Sequence, residues 1–329
     1  MKVKVFGLTP VRAMASATGF IKSLDRSRNL LNTFAPPTQE IFVPRHKSFG
    51  EHMIYLGPAG VPISSEDSST LGGLRRIAEL ELNSMEIEFV RGVHMKNEMA
   101  DEVGKLAKGL GILLSVHCPY FINLCSTDRQ KLEASKKRIL DSVERSYHMG
   151  AHIAVFHPGY YGSLTPEAAF EAVERACTDM LDWMKSMRIK GVALGHETTG
   201  KISAFGTLDE LVRLSKLVHG CEPVVDFSHL YARAAGKIDY AEVFENLKSL
   251  KLKHLHSHFT SMEWTPAKVP GYGNERRHLP IKFNKPPFEP LAKEILKRKL
   301  SITLISESPI LEQDSLEMKR VFEKLGHRF

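Results

Sequence analysis

Six residues able to bind a divalent cation each close a short β-rich run: His117, His157, Glu197, Asp226, His258 and Glu307. The set extends further, because His229 follows in Asp226-Phe227-Ser228-His229 and His278 stands near Glu275 in the loop expected after the seventh run. A single histidine at the end of an apolar run is more often a hydrogen-bonded structural residue. Six in phase point to a shared site. Five imidazoles and four carboxylates suit zinc, with manganese or iron as alternatives. An oxygen-only set would have suited magnesium or calcium, and the absence of cysteine ligands argues against a closed structural zinc site. Such a set has room for two or three ions, with Glu197 as a bridge. Adjacent ions of this kind stabilise both the attacking and leaving oxygens of an in-line displacement, which favours phosphodiester hydrolysis.

The elements that must position these residues are eight β-rich runs: Met53–Gly57, Met85–Val90, Ile112–His117, His152–His157, Gly191–Glu197, Pro223–Asp226, Leu252–His258 and Ser301–Glu307. Helical periodicity falls between them, as in Lys131–Met149, Pro166–Met187, Leu208–Val218, Tyr240–Leu247 and Phe288–Lys297. Crossovers of that length permit parallel pairing. The pattern predicts one α/β domain over residues 52–329, a (β/α)8 TIM barrel whose C-terminal strand ends converge on one mouth. A doubly wound open sheet is the alternative, but no glycine-rich phosphate fingerprint follows the first run.

Composition bounds the partners. The chain has 329 residues, 43% hydrophobic and 25% charged, enough for a sizeable core, and its net charge of +7 is compatible with a polyanion without requiring one. Cys118, Cys125, Cys177 and Cys221 show no C-x-x-C spacing, which predicts a reducing, cytoplasmic setting. No run of about 18 apolar residues is present to span a bilayer, and no secretory signal opens the chain. Residues 1–51 form a basic extension, with Arg12, Lys22, Arg26 and Arg28 near the single acid Asp25. An organellar targeting segment, a DNA-contacting arm and residues upstream of the true start remain equal readings of it.

The segment Ser115-Val116-His117-Cys118-Pro119-Tyr120-Phe121-Ile122-Asn123-Leu124 resembles the H-x-P-Y-x-I-N-L segment of the endonuclease IV family, AP endonuclease family 2 of the xylose isomerase-like TIM barrels. Phe156-His157-Pro158-Gly159 is similar to its F-H-P-G segment. Glu197-Thr198-Thr199-Gly200, Asp226-Phe227-Ser228-His229, His258-Phe259-Thr260-Ser261 and Ser306-Glu307 follow in the family's order. The resemblance implies a trinuclear zinc centre that hydrolyses double-stranded DNA 5′ to abasic sites, leaving 3′-hydroxyl ends in base excision repair. A monomer fits that task.

Carried over, His117, His157 and Glu197 would hold one ion, and Glu197, Asp226, His258 and Glu307 a second. His229 and His278 would bind a third. The family completes that site with Asp-x-His, whereas Glu275-Arg276-Arg277-His278 is one residue longer and has Glu for Asp. Glu197 would be a ligand first and would also orient the nucleophile. Strand alternation is taken to turn His256 away from the neighbours of His258, leaving it structural. Tyr120 matches a family tyrosine that packs into DNA near the lesion, and lidding the core is its other reading. Arg91, taken to end the second strand, is a phosphate-contact candidate, as are Lys268, Arg276 and Arg277; each otherwise belongs to a solvated face. Two rival readings stand beside this one. A sugar isomerase or epimerase of the same barrel leaves His117, His157, His229 and His278 unexplained, and a non-catalytic DNA-binding relative rests on the altered Glu275 region alone.

Overall fold

Eight short runs become eight parallel strands: β1 Ile54–Pro58, β2 Ser84–Glu88, β3 Leu113–His117, β4 Ile153–Phe156, β5 Ala193–Glu197, β6 Cys221–Asp226, β7 Leu255–Phe259 and β10 Ile302–Ser306. They form one sheet in the order β1-β10-β7-β6-β5-β4-β3-β2 in a computed structural model that describes residues 52–329. The expectations for residues 1–51 lie outside the described residues. Closure falls between β1 and β2, where Gly60 N donates to Glu86 O (2.9 Å) and Asn83 N to Leu56 O (3.3 Å). Asn83 also stitches the seam with its side chain, accepting from Leu56 N (2.7 Å) and donating to Ile54 O (3.1 Å). Gly57 permits this approach, because a Cβ there would overlap the Ser84 carbonyl.

Nine helices are described: α1 Thr70–Glu79, α2 Asn97–Leu110, α3 Arg129–Met149, α4 Pro166–Ser186, α5 Leu208–Leu217, α6 Phe227–Arg233, α7 Tyr240–Leu247, α8 Phe288–Arg298 and α9 Glu312–Lys324. Local sequence sets their ends. Thr165 caps α4 ahead of Pro166, and Thr207 with Glu210 forms a reciprocal capping box on α5. Gly111 and Gly150 close α2 and α3 at φ of 73° and 68°, a conformation that favours glycine. Apolar side chains on the outward strand faces pack under these helices; inside the barrel Ile153, Val155 and Val224 form a small apolar cluster. All four cysteines are buried and free. Among the described residues no helix is long and apolar enough to cross a membrane.

Two expectations are corrected. Residues two apart on a strand share a face, so His256 points inward with His258, and both reach Glu86: His256 Nε2 at 3.0 Å and His258 Nε2 at 2.9 Å. The segment after β7 is not a plain loop but an antiparallel hairpin, β8 Ser261–Pro266 and β9 Gly273–Leu279.

Away from the mouth, burial pushes His254 down to about 3 and His196 to about 4, so both are neutral in the fold. Each takes up a proton near pH 6.5 once unfolded. Their stabilisation is therefore complete above about pH 6.5 and is lost as pH falls toward 4, by about 1.4 kcal/mol per pH unit for each histidine. Urea midpoints measured from pH 7.5 to 4.5 should fall steadily, and His196→Gln should shallow the slope by about one such increment; a slope unchanged by that substitution counts against this account.

Candidate metal centre

Glu197, at the end of β5, is fully buried and lies where four histidines meet. Its Oε2 stands 3.3 Å from His117 Nε2 and 3.2 Å from His157 Nε2. Its Oε1 stands 3.1 Å from His258 Nδ1 and 3.3 Å from His229 Nδ1. These side chains come from four strand ends and the first turn of α6. Asp226 shapes that turn: its Oδ1 accepts from Ser228 N (2.6 Å) and His229 N (2.8 Å), and its buried Oδ2 has no hydrogen-bond partner among the described residues. Glu307 closes the ring, with Oε1 3.3 Å from His258 Nδ1, while its backbone carbonyl lies 2.9 Å from His278 Nδ1.

Atoms able to bind a divalent ion converge in three sets at the mouth: His117, His157 and Glu197; Glu197, Asp226, His229 and Glu307; and His229, His278 and Glu307, each within 4.8 Å. Eight of the nine expected ligands thus come together, counting His258 through its contacts with Glu197 and Glu307. Glu275 stands at the edge. It lies 3.1 Å from His229 Nε2, but its oxygens also meet Lys201 Nζ (3.3 Å) and Gly200 N (3.1 Å). Its position depends on a β-bulge: Glu263 pairs with Arg277 and Trp264 with Glu275, leaving Arg276 unmatched. The extra residue lets Glu275 and His278, three apart, face the same side. It absorbs the added length relative to Asp-x-His.

The electrostatics are those of a crowded buried cluster. Burial works against ionising Glu197, but His157 when protonated, the charge of His258 and hydrogen bonds from His117 and His229 hold its carboxyl well below the usual range. Burial opposes a charge on His117, yet Glu88 and Glu197 outweigh it and raise the imidazole to about 10. His258 and His229 are likewise raised well above their ordinary value against burial, with Glu86 and Asp226 as the main acids. His157 goes the other way, to about 4, because burial prevails over Glu197.

The remaining candidates lie at the rim. Tyr120 is 57% exposed beside Phe121, and Arg91 is exposed three residues beyond the end of β2 rather than on it. Arg276 and Arg277 are both paired with Glu263, at 2.7 and 2.8 Å, and Lys268 is exposed near the hairpin turn. Sequence reasoning missed Glu86 and Glu88, which project inward from β2 and register beside Ser115 and His117. Their alternation within a β-rich run was the available signal. It also missed Arg233, which donates to the carbonyls of Lys201 (2.7 Å) and Ala204 (3.0 Å) and so fixes the loop after β5.

A family model described as xylose isomerase-like TIM barrel matches residues 74–325. The chain belongs to that family. An uncharacterized protein of Methanocaldococcus jannaschii is 34% identical over 283 residues, covering 84% of this chain and 99% of that one. A protein of Mycoplasma mobile named probable endonuclease 4 is 26% identical, covering 64% of this chain and 74% of its own length. Among solved structures, endonuclease IV from Thermus thermophilus superposes with TM-score 0.62 at 18% identity, over 83% of this chain and 98% of that one. A D-tagatose 3-epimerase-like protein superposes with TM-score 0.59, also at 18% identity, over 81% of this chain and 96% of that one. Both show the shared barrel.

The donor set of this endonuclease IV-like family member fits divalent ions. Mixed imidazole and carboxylate ligands converge, and Asp226 Oδ2 is buried without a hydrogen bond. Since neighbouring acids raise His117, His229 and His258, an ion bound there would displace their protons. Zinc affinity should therefore rise with pH between 5 and 8. Titration calorimetry in buffers of different ionisation enthalpy should show net proton release; zinc uptake without it would contradict these charges. Deleting Arg276 together with Glu275→Asp should keep the hairpin and the metal count of the intact chain, because regular pairing then places the shortened carboxylate and His278 on one face; loss of an ion equivalent would show that the bulge does more than absorb length.

Proposed function

We propose that the chain is a zinc-dependent phosphodiesterase that cuts double-stranded DNA 5′ to abasic sites and leaves 3′-hydroxyl ends. The carrying observation is the set of three overlapping ligand clusters around Glu197 and Glu307, built from His117, His157, Asp226, His229 and His278. Bound divalent ions would supply positive charge for an in-line displacement at phosphorus and make water a nucleophile near neutral pH. The protein's own part is positional. Glu197 holds four imidazoles in one place and would serve as a ligand common to the set with His117 and His157 and the set with Asp226, His229 and Glu307. Asp226 keeps one oxygen on the α6 amides and presents the other to the centre. His157, with its depressed pKa, offers a neutral nitrogen at the most open side of the cluster.

Recognition falls to the rim. An abasic nucleotide has no base to stack or pair, so drawing it toward the mouth costs less than flipping an intact one. Tyr120, exposed just beyond His117, would fill the space it leaves. Arg91 and Lys268 would contact phosphate, and Arg276 and Arg277 would do so by exchanging Glu263 for the backbone.

A sugar epimerase reading uses Glu197, Asp226, His258 and Glu307, and the epimerase-like fold neighbour supports it. It gives His117, His157, His229 and His278 no task. The deciding experiment incubates zinc-loaded protein with a duplex carrying one abasic analogue resistant to β-elimination. Incision leaving a 3′-hydroxyl is expected, and Glu197→Gln should slow it by at least about two orders of magnitude, the scale of losing one preorganised charge-stabilising group. An uncut duplex alongside interconversion of ketoses would overturn the nuclease reading in favour of the epimerase.

A further inference from the structure

Below the ligand ring, where barrel interiors are ordinarily filled by branched apolar side chains, this chain places a carboxylate. Glu86 on β2 is fully buried at the level beneath His117 and Glu197. Its Oε2 accepts from Ser115 Oγ (2.7 Å) and lies 3.0 Å from His256 Nε2. Its Oε1 lies 2.9 Å from His258 Nε2, an ion-pair contact without an aligned N–H. Three neighbours from β3 and β7 thus surround one buried acid.

The position of His258 makes this arrangement consequential. Its two nitrogens face opposite ways: Nδ1 lies 3.1 Å from Glu197 and 3.3 Å from Glu307, in the ligand ring, whereas Nε2 faces Glu86 below it. An imidazole that ligates a metal through one nitrogen keeps its proton on the other, and a carboxylate at that second nitrogen fixes the tautomer, orients the ring and strengthens the ligand. Glu86 is placed to do this. It is itself immobilised by Ser115 and by His256, the residue two positions before His258 on the same strand face.

We propose that Glu86 is a positioning residue for the metal centre: it holds His258 as the Nε2–H tautomer, leaving Nδ1 as the nitrogen that binds metal, while Ser115 and His256 fix Glu86. This rests on the metal-binding reading of the mouth and adds to it a residue outside the ligand set. Leucine at this position would remove the acceptor. Glutamine would keep its shape and a neutral acceptor but lose the charge.

The test measures zinc affinity by chelator competition, and the His258 ring by long-range 15N–1H correlation on the zinc-loaded full chain. The wild type should show His258 with a protonated Nε2 and a metal-bound Nδ1. Glu86→Leu should weaken the tightest-bound zinc about 10- to 100-fold, the range found when such partners of metal-binding histidines are removed, and erase that signature. Glu86→Gln should fall between the two, and it decides the matter if the leucine variant does not fold. Affinity and tautomer unchanged in Glu86→Gln and in any folded Glu86→Leu would overturn the proposal while leaving the metal centre intact. Loss of one whole zinc equivalent would overturn it by making Glu86 a ligand. A wild type that binds no zinc would sink the metal reading, and this inference with it.

Discussion

Ionised groups packed out of water must balance one another, and that requirement organises this barrel. Isolated buried charges are costly, and they become tolerable when opposite partners and hydrogen bonds surround them. Glu197 meets the requirement with imidazoles from β3, β7, the end of β4 and the first turn of α6. Each arrives from a different β/α unit, so the balance ties together parts of the chain more than a hundred residues apart. It also fixes strand register, since a slip of one residue would turn an inward ligand outward.

The same constraint accounts for features that a purely apolar barrel would not need. Gly57 lets β1 and β2 approach closely beside Asn83, bringing the inward face of β2 against the cluster. The loop after β5 is held from behind by Arg233, and Gly200 gives Glu275 the room that a Cβ would take. The outer wall is less committed: Tyr120 and Phe121 stand open, and the two hairpin arginines share one acid. The interior is fixed by mutual charge, whereas the rim keeps groups that a ligand can recruit.

Much of this was legible from residue order. Strand existence could be read because each run is short and β-rich, and six of the eight close on a polar residue. The candidate site could be read because those closing residues share one mouth in a barrel. Boundaries moved by one to three residues, as with Leu252–His258, which became Leu255–Phe259 once Leu255 took up pairing beside β10. Glu86 and His256 were harder to see. A charged residue within a β-rich run looks like a solvent-facing position until the partner that neutralises it is known, and Glu86 and His256 are 170 residues apart. The hairpin was hidden for another reason: Glu263, Arg276 and Arg277 give it the polar texture of a loop, and its pairing shows only when both strands are in place.

The bulge at Arg276 carries one consequence further. An extended ribbon counts residues in twos, so an even separation keeps two side chains on the same side and an odd one parts them. A single insertion between two converging residues would ordinarily exile one of them to solvent. By leaving one residue out of the count, the ribbon converts an odd separation back to an even one. The segment between Glu275 and His278 can thus change length by one residue without changing what it presents, provided a bulge appears or disappears with it. Length variation here is a matter of parity rather than of distance.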